Sequence, residues 1–115
     1  MFTGYYLLFV RSLNTKINTY FPTPDYARAV EINTNTYTVE EDGYISAYVT
    51  RGNSGGNVQM NLKIAVNGIT AFRISLTATV YPLCTSPYIP VAAGDVVTFS
   101  LSGEQSVKRF APIRR

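Results

Sequence analysis

The segment Val58–Val66 constrains this chain more than any other. Val58, Met60, Leu62, Ile64 and Val66 alternate with Gln59, Asn61, Lys63 and Ala65. A period of two over nine residues is the pattern of a strand with one face in a core and one in water. Asn67-Gly68 follows directly. That dipeptide suits a two-residue type I′ turn, in which both central positions need positive φ. The chain then returns through Ile69–Val80, so residues 58–80 are predicted to form a long β-hairpin. A hairpin of this length needs a second layer to cover its apolar face.

The rest of the chain supplies that layer in short pieces. Thr, Val, Tyr, Ile and Phe dominate, and Gly, Pro and Asn punctuate them, as expected for many short strands joined by turns. No window shows a sustained 3.6-residue period. Tyr5–Arg11, Tyr26–Ile32, Tyr37–Val39, Tyr44–Thr50, Val96–Ser102 and a last run near Val107–Ile113 read as strands. The turns between them are Glu40-Glu41-Asp42-Gly43, the glycine-rich loop Arg51–Asn57, a Pro-rich loop around Cys84, and Ala93-Gly94-Asp95. Gly43 and Gly94 mark positions where a turn is expected to need positive φ. About eight strands without a helix predict an all-β antiparallel β-sandwich of jelly-roll type. At 115 residues the chain suits one domain with its own core.

The residue inventory narrows the chemistry. There is no His, so the commonest general acid/base and metal ligand is missing. A Ser–His–Asp or Cys–His site is thereby excluded. The single Cys84 has no basic neighbour in sequence to lower its pKa, and it reads as a quiet thiol. The carboxylates are scattered, apart from Glu40, Glu41 and Asp42 on one turn. Three acids on one turn could hold calcium, which takes six to eight oxygen ligands, but a solvated turn accounts for them. Gly52-Asn-Ser-Gly-Gly56 leads into no Lys-Ser/Thr and no helix, so it is not a phosphate loop. No enzyme activity and no cofactor are expected.

Charge is unevenly placed. Residues 1–107 hold six cations and seven acids, and Lys108, Arg109, Arg114 and Arg115 make the chain basic. Basic character confined to the end suits a solvated tail, or one pairing across an interface, better than a nucleic-acid face. No run approaches the ~20 apolar residues of a membrane span. The apolar start has no basic flank before it and no small-x-small site after it, so it is read as mature protein and not as a signal peptide.

Three segments in order resemble a known architecture: Tyr37-Thr-Val-Glu-Glu-Asp-Gly-Tyr-Ile-Ser-Ala-Tyr48, the hairpin around Val66-Asn-Gly-Ile69, and Ile89-Pro-Val-Ala-Ala-Gly-Asp-Val-Val-Thr-Phe99, closed by Arg109-Phe-Ala-Pro-Ile113. They resemble the small jelly rolls at the tips of phage head and tail fibres, which are similar to the tumour-necrosis-factor and complement-type trimeric heads. The likeness covers roughly residues 26–113, leaving residues 1–25 as an attachment segment or a first strand. It implies a homotrimer in which Tyr44–Thr50, Val96–Ser102 and the final strand share the sheet facing the three-fold axis.

On that basis Tyr44, Tyr48, Phe99 and Phe110 are assigned to the trimer interface. Alternation puts Tyr44 and Tyr48 on one strand face and Ile45, Ala47 and Val49 on the other. The two tyrosines then point to the axis or lie at a solvent edge. Phe2, Tyr5, Tyr6, Leu7, Leu8 and Phe9 form a dense apolar run suited to attachment to other virion proteins, or to the first sandwich strand.

The implied function is a short structural virion protein of a phage, a fibre or capsid decoration, with a host surface glycan as a further candidate partner. The alternative is a carbohydrate-binding module of a secreted or cell-surface protein. Tyr20, Tyr81 and Tyr88 near loops would then offer rings for sugar stacking.

Overall fold

The computed structural model describes residues 22–52, 56–79 and 83–114. Among these residues a 3-10 turn, Tyr26–Arg28, precedes nine strands: β1 (Val30–Glu31), β2 (Thr36–Thr38), β3 (Gly43–Thr50), β4 (Val58–Val66), β5 (Ile69–Ala78), β6 (Leu83–Thr85), β7 (Ile89–Val91), β8 (Val96–Ser102) and β9 (Gln105–Pro112). There is no α-helix among the described residues. The strands form two antiparallel sheets. The first has the order β1-β9-β3-β6, with β7 also pairing with β3. The second has the order β2-β8-β4-β5.

The chain crosses repeatedly between the two layers, so each sheet is completed only when the other is. The core is their shared inner face. Ile45, Ala47 and Val49 enter it from β3, Met60, Leu62 and Ile64 from β4, Val97 and Phe99 from β8, and Phe110 from β9. These are the alternate residues that the sequence pattern selects, because successive strand side chains point to opposite faces. On β3 the intervening Tyr44, Ser46, Tyr48 and Thr50 stay half-buried.

The central hairpin forms as expected. Val66 pairs with Ile69 across a two-residue loop in which Asn67 has φ 52° and Gly68 φ 81°. Ile64 pairs with Phe72 and Ala65 with Thr70, so Ala71 of β5 is the extra residue of a bulge, while the pairing of β4 with β8 runs on unbroken.

Asn67 does more than turn the chain. Its backbone N–H donates to the Val96 carbonyl at 2.8 Å, its Oδ1 accepts from the Val96 N–H at 2.9 Å, and its Nδ2 donates to Asp95 Oδ1 at 3.0 Å. The hairpin tip is thereby tied to the start of β8. An added Cβ on Gly68 would meet nothing within 4 Å, so any cost there is purely conformational. Gly68→Val is expected to lower stability by about 1–2 kcal/mol, because a β-branched residue is strained at positive φ. The urea midpoint measures this, and Gly68→Asn, which tolerates that region, should recover most of the loss.

Asp95 carries the acid response of the same corner. The Ala92 N–H, donating to its Oδ2 at 2.8 Å, and then the Asn67 amide hold its carboxyl below the ordinary range. A depressed folded pKa contributes stability that is present above the unfolded value of about 3.9 and is lost as pH falls through the folded value. Asp95→Asn should therefore lower stability at neutral pH, where the carboxylate contributes, and flatten the acid limb of the stability curve below about pH 4.

Several expectations are corrected by the coordinates. Tyr26–Ile32 is a 3-10 turn followed by a two-residue strand; Asp25 accepts from the Ala27 N–H and from Arg28 Nε, which fixes the turn. The return strand ends at Ala78. The basic end is largely structured: Lys108 and Arg109 lie within β9. Gly94 has the positive φ expected of it, at 94°, but Gly43 has an ordinary one. Gly43 is needed for close approach instead. Val96–Ser102 lies in the second sheet, not beside β3 and β9.

Candidate functional site

The outer face of the first sheet gathers the features most suited to recognition. β9 and β3 run antiparallel through its centre, and their register sets the rows. Tyr44 lies opposite Ala111, Ser46 opposite Arg109, and Tyr48 opposite Val107. Arg109 is flanked on its other side by Glu31 of β1, and Tyr48 by Thr85 of β6. All of these sit on the face turned away from the core. The result is an aromatic and aliphatic surface with one guanidinium at its middle.

The N-terminal approach adds to this face. Pro24 bridges to Ile113, and the Asp25 N–H donates to the Pro112 carbonyl at 2.7 Å. Arg28 donates to the Ile113 carbonyl at 3.2 Å and lies 3.8 Å from Glu41. These bonds bring Tyr26 against Tyr88, edge to face, with ring centroids 5.8 Å apart. The hydroxyl of Tyr88 raises the Tyr26 phenol above its ordinary range. Tyr26 is 63% exposed and Tyr88 50% exposed, so both rings remain open. The Tyr44 hydroxyl donates to the Pro22 carbonyl, which anchors the incoming chain over that end of the sheet.

Two hollows mark the surface. One of about 400 Å³ is lined by Tyr26, Glu31, Ser46, Tyr88 and Arg109. Another of about 150 Å³ is lined by Tyr48, Thr85, Tyr88, Val107 and Arg109. Tyr88 and Arg109 wall both, so the two hollows adjoin. Open aromatic faces around a cation suit a protein contact or a sugar ring.

The four interface assignments divide. Tyr44 and Tyr48 lie together on the outer face, on alternate positions of β3. Phe99 and Phe110 do not join them, because both are core residues, 5% and 4% exposed. The reason for Phe99 is sheet membership: β8 belongs to the second sheet, and its alternation turns Val97 and Phe99 inward. Lys108 Nζ stands 5.7 Å from the Phe99 ring centroid while bonding to Thr34 and Asn35. For Phe110 the reason is parity on β9, since Arg109 and Ala111 take the outward positions; its ring lies 5.7 Å from that of Tyr37. Phe2, Tyr5, Tyr6, Leu7, Leu8 and Phe9 lie outside the described residues, as do Tyr20 and Tyr81.

Sequence reasoning missed two members of this face. Arg109 counts with the basic end in the charge reading, although its place beside Phe110 in the last strand-like run carries the signal. Nothing in the sequence links Tyr26 to Tyr88; only the fold does.

The remaining reactive groups have structural duties. Asp42 Oδ1 accepts from the Ala93 N–H at 2.9 Å, tying the acidic turn to the loop after β7. The buried Ser86 hydroxyl accepts from the Ala47 N–H and donates to the Pro87 carbonyl, both at 2.9 Å, which carries the pairing of β3 across the gap between β6 and β7. Cys84 is buried on β6, and burial pushes its thiol pKa up. It should therefore resist alkylation at neutral pH in the native protein and react fully only in denaturant, as a thiol-reactive dye would report. No family model matches the chain, and comparison with curated proteins and with solved structures gives no match either.

Proposed function

We propose that the chain is a structural virion protein of a bacteriophage, a short fibre or capsid decoration that assembles as a homotrimer through the outer face of the first sheet. The observation that carries this reading is that face itself. Half-buried Tyr48 and Val107 pair across β3 and β9, and the open Tyr26 and Tyr88 rings wall the adjoining hollows on the same sheet face. Surfaces of that kind mark contact sites. The resemblance to trimeric jelly rolls asks for a sheet to face the axis, and the crossing of the chain between layers is compatible with a jelly-roll path.

Phe2, Tyr5, Tyr6, Leu7, Leu8 and Phe9 then dock on another virion protein, while the sandwich points outward toward the host. Particle fractions test the virion assignment. An antibody to the sandwich should label intact particles, and the chain should remain with them through density-gradient banding. A chain found only in the soluble fraction would contradict it.

The second reading is a sugar-binding module of a secreted or cell-surface protein. The observation favouring it is the hollow where Tyr26, Tyr88 and Arg109 meet. The readings differ in what covers those rings. A trimer occupies this face, whereas a sugar module leaves it open on a monomer.

A further inference from the structure

The outer face of the second sheet has a different character. Its four strands, β2, β4, β5 and β8, contain no Asp or Glu. They hold two cations, Lys63 and Arg73, which lie directly opposite one another on β4 and β5. Like charges in that arrangement are destabilising. No acid partner of either cation is found among the described residues. Ser100 of β8 flanks Lys63 on its other side, and a hollow of about 220 Å³ opens between Asn61, Lys63, Arg73 and Ser100.

The rows beside this pair are ordered polar groups. Asn61 lies between Ser75 and Ser102; its Nδ2 donates to Ser102 Oγ at 2.8 Å and its Oδ1 accepts from the Ser75 hydroxyl. Gln59 lies opposite Thr77; its Nε2 donates to Ser75 Oγ at 3.0 Å and its Oε1 accepts from the Thr77 hydroxyl. These bonds fix the orientation of both amides, and each keeps a second N–H for a ligand. Rows on one strand face repeat every two residues, about 6.7 Å, so three rows make a lane of about 13 Å.

We propose that this lane binds an acidic polysaccharide, with Lys63 and Arg73 holding one carboxylate or sulfate and the Asn61 and Gln59 rows meeting hydroxyls of the adjoining sugars. An anion between the two cations relieves their repulsion. The lane extends well past a single small ion. Nucleic acid fits less well, because two cations make a short phosphate track and none of the described residues puts an aromatic ring on this face for base stacking. The site lies on the opposite side of the sandwich from Tyr48, so it stands independently of the trimer.

Affinity electrophoresis of the full chain through gels containing polygalacturonate or neutral dextran tests the proposal. The wild type should be retarded by polygalacturonate and not by dextran, and retardation should weaken with added salt. The double variant Lys63→Gln/Arg73→Gln should lose affinity about tenfold or more while melting no lower than the wild type. A tail variant, Arg114→Gln/Arg115→Gln, should bind within about twofold of the wild type, which separates the lane from general basicity. The proposal is overturned if the wild type is not retarded, if dextran retards it equally, or if the tail variant loses binding while the double variant keeps it. Tighter binding of a short DNA duplex, lost in the same double variant, would reassign the lane to nucleic acid and overturn it as well.

Discussion

Tyr48→Arg is expected to turn the proposed trimer into a folded monomer. Tyr48 sits at the centre of the outer face of β3, between Val107 of β9 and Thr85 of β6. It contributes to no part of the core, so the sandwich should survive its replacement. In the proposed trimer, however, three copies of the position approach one axis. Three guanidiniums there are like charges taken out of water without partners, a cost of several kcal/mol (about 3–5 per uncompensated buried charge). Light scattering should report one chain mass, with the β-sheet circular dichroism spectrum retained. Tyr48→Phe should leave the assembly intact. A Tyr48→Arg protein that remained a trimer with unchanged melting temperature would remove Tyr48 from the axis.

Gly43→Val should have the largest effect on folding of any single change considered. Gly43 begins β3 and pairs with Val91 on one side and Pro112 on the other, so its backbone is held from both edges. A Cβ built there would collide with the Ala111 carbonyl oxygen and would stand 2.7 Å from the Phe110 ring. The carbonyl belongs to the neighbouring strand and has little freedom to yield, and Phe110 is packed in the core. Overpacking of this kind costs about 1–3 kcal/mol for milder clashes, and a branched side chain against backbone should cost at least about 3 kcal/mol. Against a total stability of about 5–15 kcal/mol, the variant should unfold at markedly lower urea or fail to accumulate. Gly56→Ala is the control, since an added Cβ meets nothing within 4 Å there, and it should be close to neutral.

How far the sequence revealed this molecule depended on the range of the interactions involved. The β4–β5 hairpin was legible because alternation and a two-residue turn are local. The division of β3 into Ile45, Ala47 and Val49 on one side and Tyr44 and Tyr48 on the other was legible for the same reason. Alternation fixes the face of a residue within its strand, but not the sheet to which the strand belongs. Phe99 was therefore placed at an axis when it lies in the core on β8. Phe110 shared that fate because the resemblance names the sheet of the final strand and not which of its two faces each residue takes; parity on β9 turns Phe110 inward. The bulge that leaves Ala71 of β5 without a partner on β4 left no mark in the sequence of the return strand. The Tyr26–Tyr88 contact joins residues far apart in the chain through the pairing of Pro24 with Ile113, and no local pattern encodes it.

The central claim is that this sandwich assembles in threes through its first sheet. The most direct measurement is the mass of the full chain by light scattering coupled to gel filtration, taken across a range of micromolar concentrations. The account predicts a single species of three 12.7 kDa chains. A folded species of one chain mass, persisting at the highest concentration, would contradict it.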